Sequence, residues 1–527
     1  MRNSSLLAAR NFRARSLVIP GMSMRRPALL LRILALASAS LAAQTLTSQI
    51  DNARTGANTH ETVLTPANVN ARQFGKLFAF KVDGGVYAQP LYVPNIAIAG
   101  KGTHNVLIVA TENDSVYAFD ADGPATAPLW HAGFLKAGTT PVSSQDAMCP
   151  FIQPGIGITP TPVVDPQSGT LYVLARTSEG EGFFTSPHYS QRLHALAMTT
   201  GQEKFGGPVE IAAPGFDALH ELPRAGLLLV NGQVVLTWAS SCDVKPYHGW
   251  VMAYDARTLK QSAVFNTSPG AGEAGIWQSD NAPAADALGN IYVATGNGTF
   301  TADSNGRDYG DSLLKLALDH GNLLVRDYFT PSDEAAMNAR DLDLGSGGPL
   351  LLPLQPGPHP RQVLIGGKNG FLYVLDRDHL GHRQTAAANP LIQVLHFAGG
   401  IYSAPAYWNG HLYVQASNDR LSDFVLNRGQ LPDHPSFTAA QTLGNPGATP
   451  VVSANGTRNG IVWLIETKAW NDFTDRPAVL HAYDAANVAH ELYSAPAGAA
   501  MRFTVPTIAN GRVYVPAKGE VDVFGLR

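Results

Sequence analysis

A short unit recurs eight times along this chain, and that repeat limits the possible folds more than any other feature. Each copy has a small or Pro-marked start, a short apolar strand, an Asn-Gly or Asp-Gly-like turn, and an alternating strand of the Leu-Tyr-Val kind. Examples are QPLYVPN (89–95) with HNVLIVATENDSVYAFDAD (104–122), TPTPVVDPQSGTLYVLAR (159–176) and SAPAYWNGHLYVQAS (403–417). The leading prolines Pro90, Pro162, Pro223, Pro283, Pro349, Pro405, Pro450 and Pro506 lie 45 to 72 residues apart. That spacing suits four strands with their loops better than a helical solenoid. Val116, Ala118 and Asp120 alternate with Tyr117 and Phe119, the period-two signature of a strand packed between neighbouring sheets. The last unit starts at Pro506 and has room for three short strands, whereas FGKLFAFKV (74–82) precedes the first unit and belongs to none. Pairing the two would complete the last sheet and leave no open edge. The expected fold is all-β: an eight-bladed β-propeller of four-stranded antiparallel blades, closed by pairing the N-terminal and C-terminal strands.

Composition agrees with one large domain over 44–527, since 45% of the 527 residues are apolar and no later segment has the eighteen or so apolar residues that span a bilayer. The net charge is only −4 and Lys and Arg form no basic stripe, which argues against nucleic acid as a partner. Residues 1–43 have the layout of a signal peptide: Arg25 and Arg26 precede the apolar run from Ala28 to Leu41, and Ala42 and Ala43 offer a cleavage point. Met24 then becomes the natural start, with residues 1–23 an over-extension. Export implies a periplasmic or secreted protein with no membrane span after cleavage. In that oxidising setting Cys149 and Cys242, the two cysteines of the chain, are expected to pair.

VYAFDADGPATAPLW (116–130) and LHALAMTTGQEKF (193–205) resemble the repeat of PQQ-type (quinoprotein alcohol dehydrogenase-like) β-propellers. The likeness extends over nearly all of the chain after residue 74. In the middle third, IYVATGN (291–297), TPSDEAAMNARDLDLGSGGPLLLP (330–353) and GGKNGFLYVLDR (366–377) follow in the order seen in that family. The resemblance implies roles by position. Asn297 falls on a ligand of the catalytic metal, Asp341 on the catalytic carboxylate, Asp343 on a further metal ligand, and Lys368 on the basic residue that contacts the quinone. Asp243 is the nearest acidic candidate for the family's glutamate ligand. Trp277 is the nearest candidate for the Trp beneath the quinone, which spacing would put near Asp280. The implied cofactors are PQQ and Ca²⁺, a hard cation that takes six or more oxygen ligands. Asp341 would then accept an alcohol's proton.

The chain also departs from this pattern. The family's adjacent Cys-Cys pair has no counterpart, and Asn338-Ala339-Arg340 stands where a Trp should precede the aspartate. HExxH, GxSxG and GxxxxGK[ST] motifs are absent, so protease, hydrolase-elbow and phosphate-loop chemistry have no basis. Two readings therefore stand. One is a binding or scaffold propeller derived from PQQ-dependent dehydrogenases, with a protein or carbohydrate ligand on one face. The other is a PQQ- and Ca-dependent alcohol or sugar dehydrogenase.

Overall fold

In the computed structural model the described residues are 43–124, 127–180, 186–279, 281–385, 391–470 and 474–527. The signal segment, apart from Ala43, and Asp280 lie outside them. The described chain is all-β, with one five-residue helix, Glu334–Asn338, and one 3₁₀ turn, Ala302–Ser304. Among these residues the strands form eight sheets, nearly all of their neighbours antiparallel. The first sheet contains Leu91–Ile98, Gly102–Ala110, Ser115–Asp120 and Trp130–Gly133 in chain order. It matches the first repeat copy.

Alternation along these strands decides which neighbour each side chain meets. Val116 and Ala118 pack with Leu171 and Val173 of the second sheet. Phe119, pointing the other way, packs with Tyr514 and Val523 of the last. Both faces are thus buried, which explains why Val106 to Ala110 is a continuous apolar run. Eight apolar clusters follow this pattern, each shared between sheets adjacent in chain order, with one shared by the last and the first. Each fully buried Val, Leu or Ile contributes about 1.5–3 kcal/mol. Stacking of sheets is therefore the main source of stability.

The last sheet combines the two ends of the repeat region. Thr507–Ala509 pairs with Arg512–Leu526, and Phe74–Gly85 pairs with the same long strand, Phe74 opposite Leu526 and Phe80 opposite Val521. Gly519 (φ +74°) reverses the long strand. Its far end comes back so closely that a Cβ on Gly525 would lie 3.1 Å from the Gly511 carbonyl oxygen. The second sheet carries an addition that the repeat does not announce, a hairpin of Thr139–Ser143 and Gly155–Ile156 whose loop holds Cys149.

A second unannounced feature is the segment from Thr45 to Asn58, which runs past the first repeat strand of every sheet in turn. Thr45 bridges Tyr92, and the Leu46 carbonyl accepts from Val164 N–H at 2.8 Å. Asn52 donates to Leu229 O (2.9 Å) and accepts from Ala285 N–H (2.7 Å). The carbonyls of Ala53, Thr55 and Gly56 accept from Leu351, Tyr407 and Val452, and Asn58 Nδ2 donates to Ile508 O at 2.8 Å. The segment is pinned by Arg54, a fully buried guanidinium. Arg54 donates to Pro283 O (2.9 and 2.6 Å), Thr47 Oγ1 (2.9 Å), Ser48 O (2.8 Å) and Asp51 O (3.1 Å). Burial lowers its pKa to about 9, against the opposing pull of Asp51.

Candidate functional site

Three connecting turns meet at one place. Asn297 follows the strand Ile291–Ala294, Asp341 and Asp343 follow the short helix, and Lys368 caps the hairpin between Gln362–Gly366 and Phe371–Asp376. Backbone bonds hold the turns together: Lys368 N–H donates to Asp343 O (2.9 Å), Gly345 N–H to Gly366 O (3.1 Å), and Asp311 N–H to Gly296 O (2.8 Å). Asp311, which no sequence signal singled out, accepts from Leu344 N–H at 2.9 Å. Burial raises its pKa to about 8. Gly296 is needed for close approach, since a Cβ there would lie 2.2 Å from Asp343 Oδ1.

The side chains of these turns form one network. Asp343 is almost wholly buried (side chain 4% exposed); its Oδ1 accepts from Asn297 N–H at 2.7 Å and its Oδ2 pairs with Lys368 Nζ at 2.5 Å. Asp341, 69% exposed, uses Oδ1 to accept from both Lys368 Nζ (2.8 Å) and Asn297 Nδ2 (2.7 Å). Burial disfavours charge on Lys368, but the Asp343 and Asp341 carboxylates outweigh it and hold the ammonium above the ordinary lysine range. Lys368 is therefore a fixed cation bonded to both acids. The family resemblance put it against a quinone; the structure gives it both carboxylates as partners.

Asp341, Asp343, Lys368, Asp243 and Trp277 all line one cavity of about 330 Å³, together with the disulfide Cys149–Cys242. That disulfide spans 93 residues with Cα atoms 5.3 Å apart. Closing such a loop stabilises by on the order of 4 kcal/mol in the chain-entropy model. The cysteine count predicted the pairing, and the hairpin loop that carries Cys149 brings it about. Asp243 accepts from Tyr247 Oη at 2.9 Å and has no bond to the Asp341–Asp343–Lys368 network among the described residues. Trp277 lies against the Asn297 turn, its Cδ1 3.0 Å from where a Gly296 Cβ would be. Three positions from its expected place, it still lines the cavity.

Part of the cavity wall has a left-handed backbone. Cys242 (φ +52°), Asp243 (φ +56°), Asp341 (φ +56°) and Phe503 (φ +63°) are non-glycine residues in the left-handed region, and all four line it. Such residues cost on the order of 1 kcal/mol each and gather where a site needs a particular geometry. Two arginines, Arg224 and Arg502, complete the lining with Tyr87, Phe151, Tyr402, Trp470 and Phe503. They come from repeat-flanking loops, and no spacing rule marks them in the sequence.

A resident calcium ion was tested against this donor set. Asp341 Oδ1 and both Asp343 oxygens already accept hydrogen bonds, and the Lys368 ammonium supplies their counter-charge. Among the described residues no group of three or more His, Cys, Asp or Glu side chains is placed to hold a metal. As arranged, the residues do not fit the ion.

No family model matches the chain, and no curated protein matches it. Solved structures do. A quinohemoprotein alcohol dehydrogenase from Pseudomonas putida superposes with a TM-score of 0.60 at 16% identity, over 92% of this chain and 80% of that one. A europium-containing methanol dehydrogenase gives 0.60 at 16% identity, over 92% of this chain and 98% of that one. The chain thus has the propeller-like all-β fold of these quinoprotein dehydrogenases.

Proposed function

We propose that the chain is an exported eight-bladed propeller that binds a small ligand in the Trp277–Lys368 cavity and does not oxidise it. The eight sheets are the blades, and the Phe74–Gly85 strand closes the ring by pairing with Arg512–Leu526. Export is supported by the disulfide. Among the described residues no helix is long and apolar enough to cross a membrane.

One observation carries the binding reading: Lys368 pairs with both Asp341 and Asp343. A divalent cation would have to displace the Lys368 ammonium from the buried Asp343 before it could take both carboxylate oxygens. A second reading, a PQQ- and Ca-dependent dehydrogenase, is favoured by one atom, since Asn297 Oδ1 is buried with no hydrogen-bond partner.

Adding PQQ and Ca²⁺ to the purified protein separates the two. The binding reading expects no alcohol-dependent dye reduction, whether or not PQQ itself occupies the cavity. A dehydrogenase saturated at a hundredfold excess over its dissociation constant would gain about 2.7 kcal/mol and would reduce a dye with alcohol. Dye reduction that depends on both PQQ and Ca²⁺ would overturn the proposal.

A further inference from the structure

The cavity contains a cation that its neighbours hold but do not satisfy. The Arg502 guanidinium carbon lies 4.2 Å from the Phe151 ring centre, 4.7 Å from Trp470 and 5.2 Å from Phe503. Ring faces attract a guanidinium but accept none of its N–H groups in the ordinary way. Among the described residues no hydrogen bond or ion pair reaches Arg502. Arg224 sits on the same aromatic frame, 5.1 Å from the Phe503 ring centre and 5.7 Å from that of Tyr87. Burial and then the Arg224 charge lower the Arg502 pKa to about 10.

We propose that Arg502, with Arg224 beside it, anchors the carboxylate of a flat, hydroxyl-bearing aromatic acid in this cavity. This inference rests on the binding reading above and adds the chemical class of the ligand. The guanidinium presents a planar fork of donors that matches the two oxygens of a carboxylate. An anion placed there offsets the repulsion that the Arg224 charge exerts on the half-buried Arg502. The aromatic lining, which includes Trp277 and Tyr402, suits a planar body, and about 330 Å³ is at the small end for ligand pockets. Asp243 and Asp341 line the same cavity as acceptors, and they repel a carboxylate while welcoming hydroxyl donors. With the Lys368 ammonium already paired with Asp341 and Asp343, the acid is drawn towards Arg502 and the hydroxyls towards the carboxylates.

The test uses the full mature protein in EDTA, with calorimetry and quenching of tryptophan fluorescence as readouts. The probes are 3,4-dihydroxybenzoate, its neutral analogue 3,4-dihydroxybenzyl alcohol, benzoate and inorganic phosphate. The acid is expected to bind at one site, at least tenfold tighter than the alcohol, benzoate or phosphate. Arg502→Gln should weaken the acid at least tenfold and leave the alcohol unchanged, with an unaltered circular-dichroism spectrum showing that the variant folds. Equal binding of acid and alcohol, or no effect of Arg502→Gln, overturns this inference while the ligand-binding reading survives. Phosphate binding as tightly as the acid overturns it too, by showing a site for simple anions. If no probe binds and PQQ with Ca²⁺ supports dye reduction, both proposals fall.

Discussion

Arg54 is a fully buried cation and Arg502 a half-buried one, and they are satisfied in opposite ways. Arg54 is enclosed by the N-terminal segment, and three carbonyl acceptors plus a hydroxyl take up its N–H groups. Arg502 has aromatic rings against its faces and no acceptor among the described residues. The first arrangement is complete and needs nothing from outside; the second becomes complete when an anion arrives. Lys368 stands between them. Its charge is met by two carboxylates, one buried and one open to the cavity.

Replacing Arg54 is the most severe way to break this comparison. Arg54→Met leaves the buried carbonyls of Pro283 and Ser48 without a donor, and unsatisfied groups cost about 1–3 kcal/mol each. A loss of roughly 5 kcal/mol is expected in the denaturant midpoint. A loss below about 1 kcal/mol would show that the segment is not fixed by this residue.

Lys368→Met should cost about 3 kcal/mol, because it strips the buried Asp343 of its counter-charge. Here calcium chloride sharpens the comparison. Its addition should raise the melting temperature of the variant and leave the wild type unaffected, since only the variant has two uncompensated carboxylates. An equal response in the wild type would mean that Lys368 does not exclude the ion.

A smaller effect concerns Glu221, a buried neighbour of the cavity wall that accepts from Trp250 Nε1 (3.0 Å) and His248 N–H (3.1 Å). Burial, opposed by these bonds, raises its pKa to about 8. The folded state therefore favours the protonated acid. This contribution is fully present below the unfolded value near 4.3 and is lost as pH rises through about 8. Relative to Glu221→Gln, which mimics the protonated form, the wild type should lose on the order of 2 kcal/mol between about pH 5 and about pH 6.5. Parallel stability curves for the two proteins would remove Glu221 as the titrating group.

The smallest effect is expected for Arg502→Gln without ligand. It surrenders cation–π contacts worth about 0.5–1 kcal/mol each but relieves burial and the Arg224 charge, so stability should move by under about 1 kcal/mol. A large loss, like that of Arg54→Met, would make Arg502 a structural cation and erase the contrast.

Much of the fold is legible in the chain because it depends on short-range rules. Proline starts, Asn-Gly turns and period-two alternation are local, so VYAFD (116–120) already specifies a strand buried on both faces. A three-strand remainder after Pro506 and an unassigned FGKLFAFKV before Pro90 are enough to foresee their pairing. The Thr45–Asn58 segment escaped this logic. It contains no repeat and little regular strand, and its bonds go to partners spread over the whole chain.

The cavity was half legible. Turn motifs in a familiar order marked Asn297, Asp341, Asp343 and Lys368, and these do converge. Their order says nothing about which partner takes which charge. Arg224, Arg502 and the disulfide come from loops of different sheets, and no sequence period relates them. By itself, then, the sequence determined strand and turn, since neighbouring residues dictate hydrogen bonding and burial. The tertiary structure alone decided which cations are satisfied and which await an anion, because that depends on distances between side chains brought together only by the stacking of sheets.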